Sequence, residues 1–85
     1  MEVAVITGGT RGIGAAIAVA LAKRNVRLVL NGRNRDAEVD RLLADLGNMT
    51  EAAFVAGDAS DPGVAGDLVK EALKRFGRID YAVPA

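Results

Sequence analysis

The sequence predicts an α/β domain in which helices cover a parallel sheet. Three observations lead there. Short apolar runs alternate with stretches of helical spacing, the connections between them are a few residues long, and no repeat or linker divides the 85 residues. At 51% hydrophobic, the chain can build one layer of sheet with helices on it, although so short a chain buries only about 60–65% of its unfolded surface. One domain, residues 1–85, is expected.

The elements follow in order. Val3 to Ile6 is a continuous β-branched run ended by Thr7-Gly8-Gly9, which suits a strand buried on both faces. From Gly12, the residues Ile13, Ala16, Ile17, Ala20 and Leu21 recur at helical spacing, and the helix ends near Lys23-Arg24, where cations suit its C-terminus. Val26 to Leu30 is the second strand, with Asn31-Gly32-Arg33-Asn34 read as turn chemistry. Val39, Leu42, Leu43 and Leu46 share one helical stripe, and Gly47 is expected to close that helix as a left-handed cap. Ala52 to Ala56 is the third strand. Asp61-Pro62 is an N-cap with a first-turn proline, followed by a stripe of Val64 or Ala65, Leu68, Ala72, Leu73 and Phe76 ending at Gly77. Ile79 to Val83 is the fourth strand. Short connections between alternating strands and helices require crossovers, hence parallel pairing.

Composition excludes much chemistry. With no cysteine and no histidine, disulfides, thiolate nucleophiles, imidazole bases and the usual zinc sites are ruled out. Eleven basic and eleven acidic residues give a formal net charge of zero, and their interspersion offers no footprint for nucleic acid or anionic lipid. The opening apolar run is too short to span a bilayer and lacks the form of a secretion signal, so no membrane partner and a cytoplasmic location are expected. Asp67, Lys70, Glu71, Lys74 and Arg75 read as a solvated helix face. Phe54 and Phe76 read as core.

Thr7-Gly8-Gly9-Thr10-Arg11-Gly12-Ile13-Gly14 lies where the first strand hands over to the first helix. A diphosphate reaches the free amides of a helix start only where side chains do not obstruct it. Gly8 can serve the sharp exit from the strand, Gly12 the approach of phosphates, and Gly14 the close packing of helix on sheet. Within a strand-turn-helix-strand unit this spacing points to a dinucleotide rather than a purely structural turn. A Walker-type loop is disfavoured because no Lys-Ser or Lys-Thr follows the last glycine.

Those residues resemble the short-chain dehydrogenase/reductase family, whose TGxxxGxG pattern is met by Thr7, Gly8, Gly12 and Gly14. Gly57-Asp58-Ala59-Ser60-Asp61 and Phe76-Gly77-Arg78-Ile79-Asp80 are similar to the family's segments after the third strand and before the fourth. The resemblance covers essentially the whole chain and implies an NAD(P)-dependent oxidoreductase with a Rossmann-type domain. It places Asp58 at the adenine ring and Arg11 near a ribose phosphate. The candidate cofactor-binding residues are Thr7, Gly8, Thr10, Arg11, Gly12, Ile13, Gly14, Arg33, Asp58 and Ala59.

NADP is favoured, with NAD possible: the second strand ends Leu30-Asn31-Gly32-Arg33 without the carboxylate that binds ribose hydroxyls, and Arg33 can meet a phosphate with two directed donors. The resemblance also implies a serine and a YxxxK pair, which these 85 residues lack. Ser60 reads as a turn residue and Tyr81 as a packed side chain with a wet hydroxyl. The expectation is therefore a cofactor-binding portion, truncated after strand four and inactive alone, with a non-catalytic nucleotide-binding or interaction module as the alternative. The expected topology is a three-layer half of a doubly wound fold, strand order 3-2-1-4, with the first two helices on one face and the third on the other. Strand four then lies at an open edge beside incompletely covered apolar residues, and a homo-oligomer or a partner segment is expected along it.

Overall fold

The computed structural model describes residues 1–85. Its elements are β1 (Val3–Thr7), α1 (Gly12–Lys23), β2 (Arg27–Gly32), α2 (Ala37–Gly47), β3 (Ala52–Ala56), α3 (Pro62–Phe76) and β4 (Tyr81–Pro84). The strands form one sheet in the order β3-β2-β1-β4, parallel throughout, with Val5 opposite both Val29 and Ala82.

Alternation along the strands sends neighbouring side chains to opposite faces. On one face Ala4, Ile6, Leu28 and Leu30 pack with Ala18 and Ala22 of α1 and Leu46 of α2. On the other, Val3, Val5 and Val29 pack with Val64, Leu68 and Ala72 of α3. Burial on both faces is why β1 reads as an unbroken apolar run.

In α1 the inward row is Gly14, Ala18 and Ala22, small residues that let the helix approach the sheet closely. Ile17 and Leu21 flank it, but Ala16 and Ala20 face out and Ile13 is 78% exposed, contrary to the expected stripe. The glycine turn sets the helix's rotation, and an alanine-rich helix has too little contrast between faces to reveal that. Asn25, at φ 64°, follows α1, and the Val26 amide returns to the Leu21 carbonyl, which closes the helix end.

Several expected boundaries shift: β2 runs through Asn31 and Gly32, which were expected in a turn, and the ends of α2 and β4 differ as well. Gly47 is the last residue of α2 and not a left-handed cap, since Asn48 follows at φ −78°. The Met49 and Thr50 amides both fold back onto the Leu46 carbonyl, so the helix end is satisfied without a left-handed residue. β4 begins at Tyr81 rather than Ile79, because the Asp80 carboxylate takes the Val3 amide at 2.8 Å while the Asp80 amide donates to the Val3 carbonyl. A side chain thus stands in for the first ladder bond.

α3 is bounded as its local chemistry predicts. Asp61 accepts from the Gly63 amide, Pro62 opens the first turn, and Gly77 at φ 76° ends it. Leu73, expected on the inner stripe, is half exposed, because α3 alone covers this face and does not extend over β4. An apolar groove of about 300 Å³ remains between them, lined by Val5, Leu68, Val69 and Val83 among others. No helix is long and apolar enough to cross a membrane.

Candidate functional site

The loops that leave the carboxyl ends of β1, β2 and β3 converge, the usual place for a ligand in an open parallel sheet. The glycine turn forms its floor. Gly8 adopts φ +64° and Gly12 φ +53°, conformations that cost other L-residues about 1–2 kcal/mol. A Cβ on Gly14 would lie 2.1 Å from the Gly8 carbonyl oxygen, so Gly14 packs the helix start against the turn itself. A Cβ on Gly12 would meet nothing within 4 Å, which leaves the approach to the helix amides open.

The helix starts differ in a telling way. Asp36 caps α2 through the Val39 amide and Asp61 caps α3 through the Gly63 amide. α1 begins after Arg11 with no side-chain cap, and a guanidinium has no acceptor to offer. The first-turn amides of α1 therefore lack a side-chain acceptor at the positive end of the helix dipole, which suits them to an anion.

Beside this floor lies a polar cavity of about 300 Å³, lined by Gly8, Thr10, Arg11, Gly32, Arg33 and Asn34. Arg33 is 79% exposed, and its guanidinium is 3.8 Å from the Asp58 carboxylate. Arg11 points across to α2, where it pairs with Asp36 and, at 3.3 Å, with Glu38. Asp58 is anchored by the Ser60 amide and hydroxyl, which, in that order and with Arg33 behind them, hold its carboxyl below the usual value. Thr10 is buried, turned under the backbone of Gly32: a Cβ there would lie 2.7 Å from the Thr10 hydroxyl oxygen. Ile13 is exposed in the first turn of α1, Ala59 is exposed on the loop between Asp58 and Ser60, and the Thr7 carbonyl accepts the Ala85 amide. The structure thus gathers the glycine turn, Arg11 and Arg33 around one opening, with Asp58 joined through Arg33.

A model of the short chain dehydrogenase family matches residues 2–84. The chain belongs to that family. The versicolorin reductase of Emericella nidulans is 36% identical over 80 residues, 93% of this chain and 30% of that protein. The L-rhamnose 1-dehydrogenase (NADP(+)) of Thermoplasma acidophilum is 37% identical, with 94% of this chain and 32% of the relative covered. An NADH-dependent reductase solved in complex with NAD superposes with a TM-score of 0.85 at 31% identity, covering 98% of this chain and 35% of its own. The chain therefore spans about a third of the length of these relatives. The sheet order matches the half Rossmann arrangement expected from the sequence.

Against the family's proton-transfer pattern, Tyr81 is placed at the amino end of β4, where its hydroxyl donates to Glu2, at the end of the sheet away from the glycine turn. That bond, first among its causes, pushes the Tyr81 hydroxyl above its ordinary value. Ser60 is spent on Asp58.

One residue at the site escaped sequence reasoning. Asn31, taken as turn chemistry, is the buried penultimate residue of β2, 1% exposed. Its Nδ2 donates to the Val55 and Gly57 carbonyls at 3.1 and 3.0 Å, its Oδ1 receives the Gly8 amide at 3.4 Å, and its own carbonyl accepts the Gly9 amide. It ties the three loops together. The available signal was an amide side chain ending an apolar strand directly before Gly32.

Proposed function

We propose that this chain grips the pyrophosphate of a nicotinamide dinucleotide on the bare amides at the start of α1, as the cofactor-binding portion of an NAD(P)-dependent oxidoreductase. The observation that carries this is the uncapped α1 N-terminus beside Gly12, whose missing side chain leaves open space. Gly8, Gly12 and Gly14 shape the cradle, with Thr10 supporting it from beneath. Thr7 and Ile13 edge it. Asp58 and Ala59 border the adenine side.

NADP is favoured over NAD. Arg33 lines the polar cavity with a single long contact, to Asp58 at 3.8 Å, and Asn31-Gly32 at the end of β2 offer no carboxylate to ribose hydroxyls. Family relatives named for NADP and solved with NAD both exist, so these residues must decide the preference. A bound nicotinamide supplies hydride chemistry. This chain's own residues bind and orient, and neither Tyr81 nor Ser60 is positioned to move the accompanying proton.

Calorimetric titration with NADPH and NADH at matched salt tests the reading. Binding of both, tighter for NADPH, is expected. Tighter NADH binding would overturn the role of Arg33, and no heat with either would overturn the function.

A further inference from the structure

The two cations bordering the polar cavity are held very differently. Arg33 has one long contact, to Asp58 at 3.8 Å. Arg11 is engaged by two carboxylates on the first turn of α2, one guanidinium nitrogen facing Asp36 and the other Glu38 at 3.3 Å. We propose that Asp36 and Glu38 compete internally for Arg11 and so weaken this chain's grip on the 2′-phosphate that distinguishes NADP from NAD. The inference rests on the dinucleotide reading above.

The geometry makes Asp36 a fixed competitor rather than a passing contact. Its Oδ1 accepts the Val39 amide at 2.9 Å as the cap of α2, while Oδ2 faces Arg11. One oxygen holds the carboxylate in place and the other presents it. The Val39 amide first, with Arg11 assisting, depresses the Asp36 carboxyl below the ordinary range, so that carboxylate stays charged at neutral pH. Asp40, the next acid on α2, is already paired with Arg35 at 2.7 Å and does not share in it.

A phosphate approaching the two terminal nitrogens of Arg11 must share or displace these oxygens, because each of those nitrogens already faces a carboxylate and only the Nε side is left to it. The two carboxylates also repel the phosphate directly. Both effects act in one direction: removing the acids tightens NADPH binding, and NADH, which has a pyrophosphate but no 2′-phosphate, responds far less. Arg11 and Glu38 are largely exposed, at 62% and 60%, and Asp36 partly so, at 41%, so solvent and salt limit the size of the effect.

The test is titration of NADPH and NADH into the wild-type chain and into Asp36→Ser/Glu38→Gln, with helix content checked by circular dichroism. Serine keeps an N-cap acceptor for α2 while removing the charge. A gain of about threefold to tenfold for NADPH is expected, with NADH within about twofold, the gain shrinking as salt rises toward about 0.5 M. Adding Arg11→Met should erase the gain, which places it on Arg11. Glu38→Gln alone leaves the cap intact and should give about a twofold gain, so a poorly folded double variant does not decide the matter. An unchanged NADPH:NADH ratio in variants of a wild type that binds both overturns the competition. Weaker NADH binding in the variants also overturns it, because the acids would then be serving the ribose. A wild type that binds neither nucleotide overturns the dinucleotide reading itself.

Discussion

Replacing Asn31 by leucine should loosen the three loops at once. The side chain is 1% exposed and gives two well-formed bonds, to the Val55 carbonyl at 3.1 Å and the Gly57 carbonyl at 3.0 Å, with a weaker one from the Gly8 amide at 3.4 Å. Each good bond is worth about 1 kcal/mol net, and a carbonyl left buried without a donor costs about 1–3 kcal/mol. Leucine fills similar space, and its apolar burial offsets about 1 kcal/mol. A loss of at least about 2 kcal/mol remains, a substantial part of the roughly 4–13 kcal/mol expected for a chain of this length. Asn31→Asp should be worse, because an acceptor would replace the donor that faces two carbonyl oxygens. Urea unfolding of wild type and both variants measures this, and a second titration should find NADPH binding weakened as Gly8 and Gly57 drift. Stability of Asn31→Leu within about 0.5 kcal/mol of wild type, or an aspartate variant as stable as the leucine one, would refute the tie between the loops.

Other outcomes follow from single contacts. Gly14→Ala would place a Cβ 2.1 Å from the Gly8 carbonyl oxygen, where only backbone can yield; a cost of about 1–3 kcal/mol should lower the melting temperature by at least about 4 °C and weaken dinucleotide binding in the same protein. Arg33→Gln should raise the NADPH dissociation constant by about tenfold, near 1.4 kcal/mol, and leave NADH unchanged in the same fluorescence titration. The Asp80 carboxyl is held below its ordinary value first by Arg78 and then by the Val3 amide. Its contribution to stability is therefore complete above the unfolded value of about 3.9 and is lost as acid carries the group through its lower folded value. The stability difference between wild type and Asp80→Asn, followed by denaturation from neutral pH downward, should be constant at first and shrink below about pH 4; a difference that shrinks near pH 6 would contradict this assignment.

Local chemistry made much of the fold legible. The Val3–Ile6 run announces a strand covered on both faces, and Asp61, Pro62 and Gly77 bound α3 because caps and breakers act within a turn of their own position. The spacing of Gly8, Gly12 and Gly14 marked the turn from β1 into α1 for the same reason. What stayed hidden depends on distant residues. Arg11 finds Asp36 across 25 positions, Asn31 gains its role only when three loops meet, and Asp80 replaces a ladder bond through Val3, 77 positions away. The orientation of α1 was illegible because alanines look alike on every face. Gly47 misled because glycine permits a left-handed turn without requiring one.

Gly12 offers the most direct measurement. An alanine there adds one methyl group where nothing lies within 4 Å, so the folded chain should lose only about 1–2 kcal/mol to left-handed strain, visible in a melt. Bound phosphates need that same space, and NADPH and NADH should each bind at least about tenfold more weakly. A folded Gly12→Ala chain that binds both nucleotides as tightly as wild type would show that the amides of α1 do not hold the pyrophosphate.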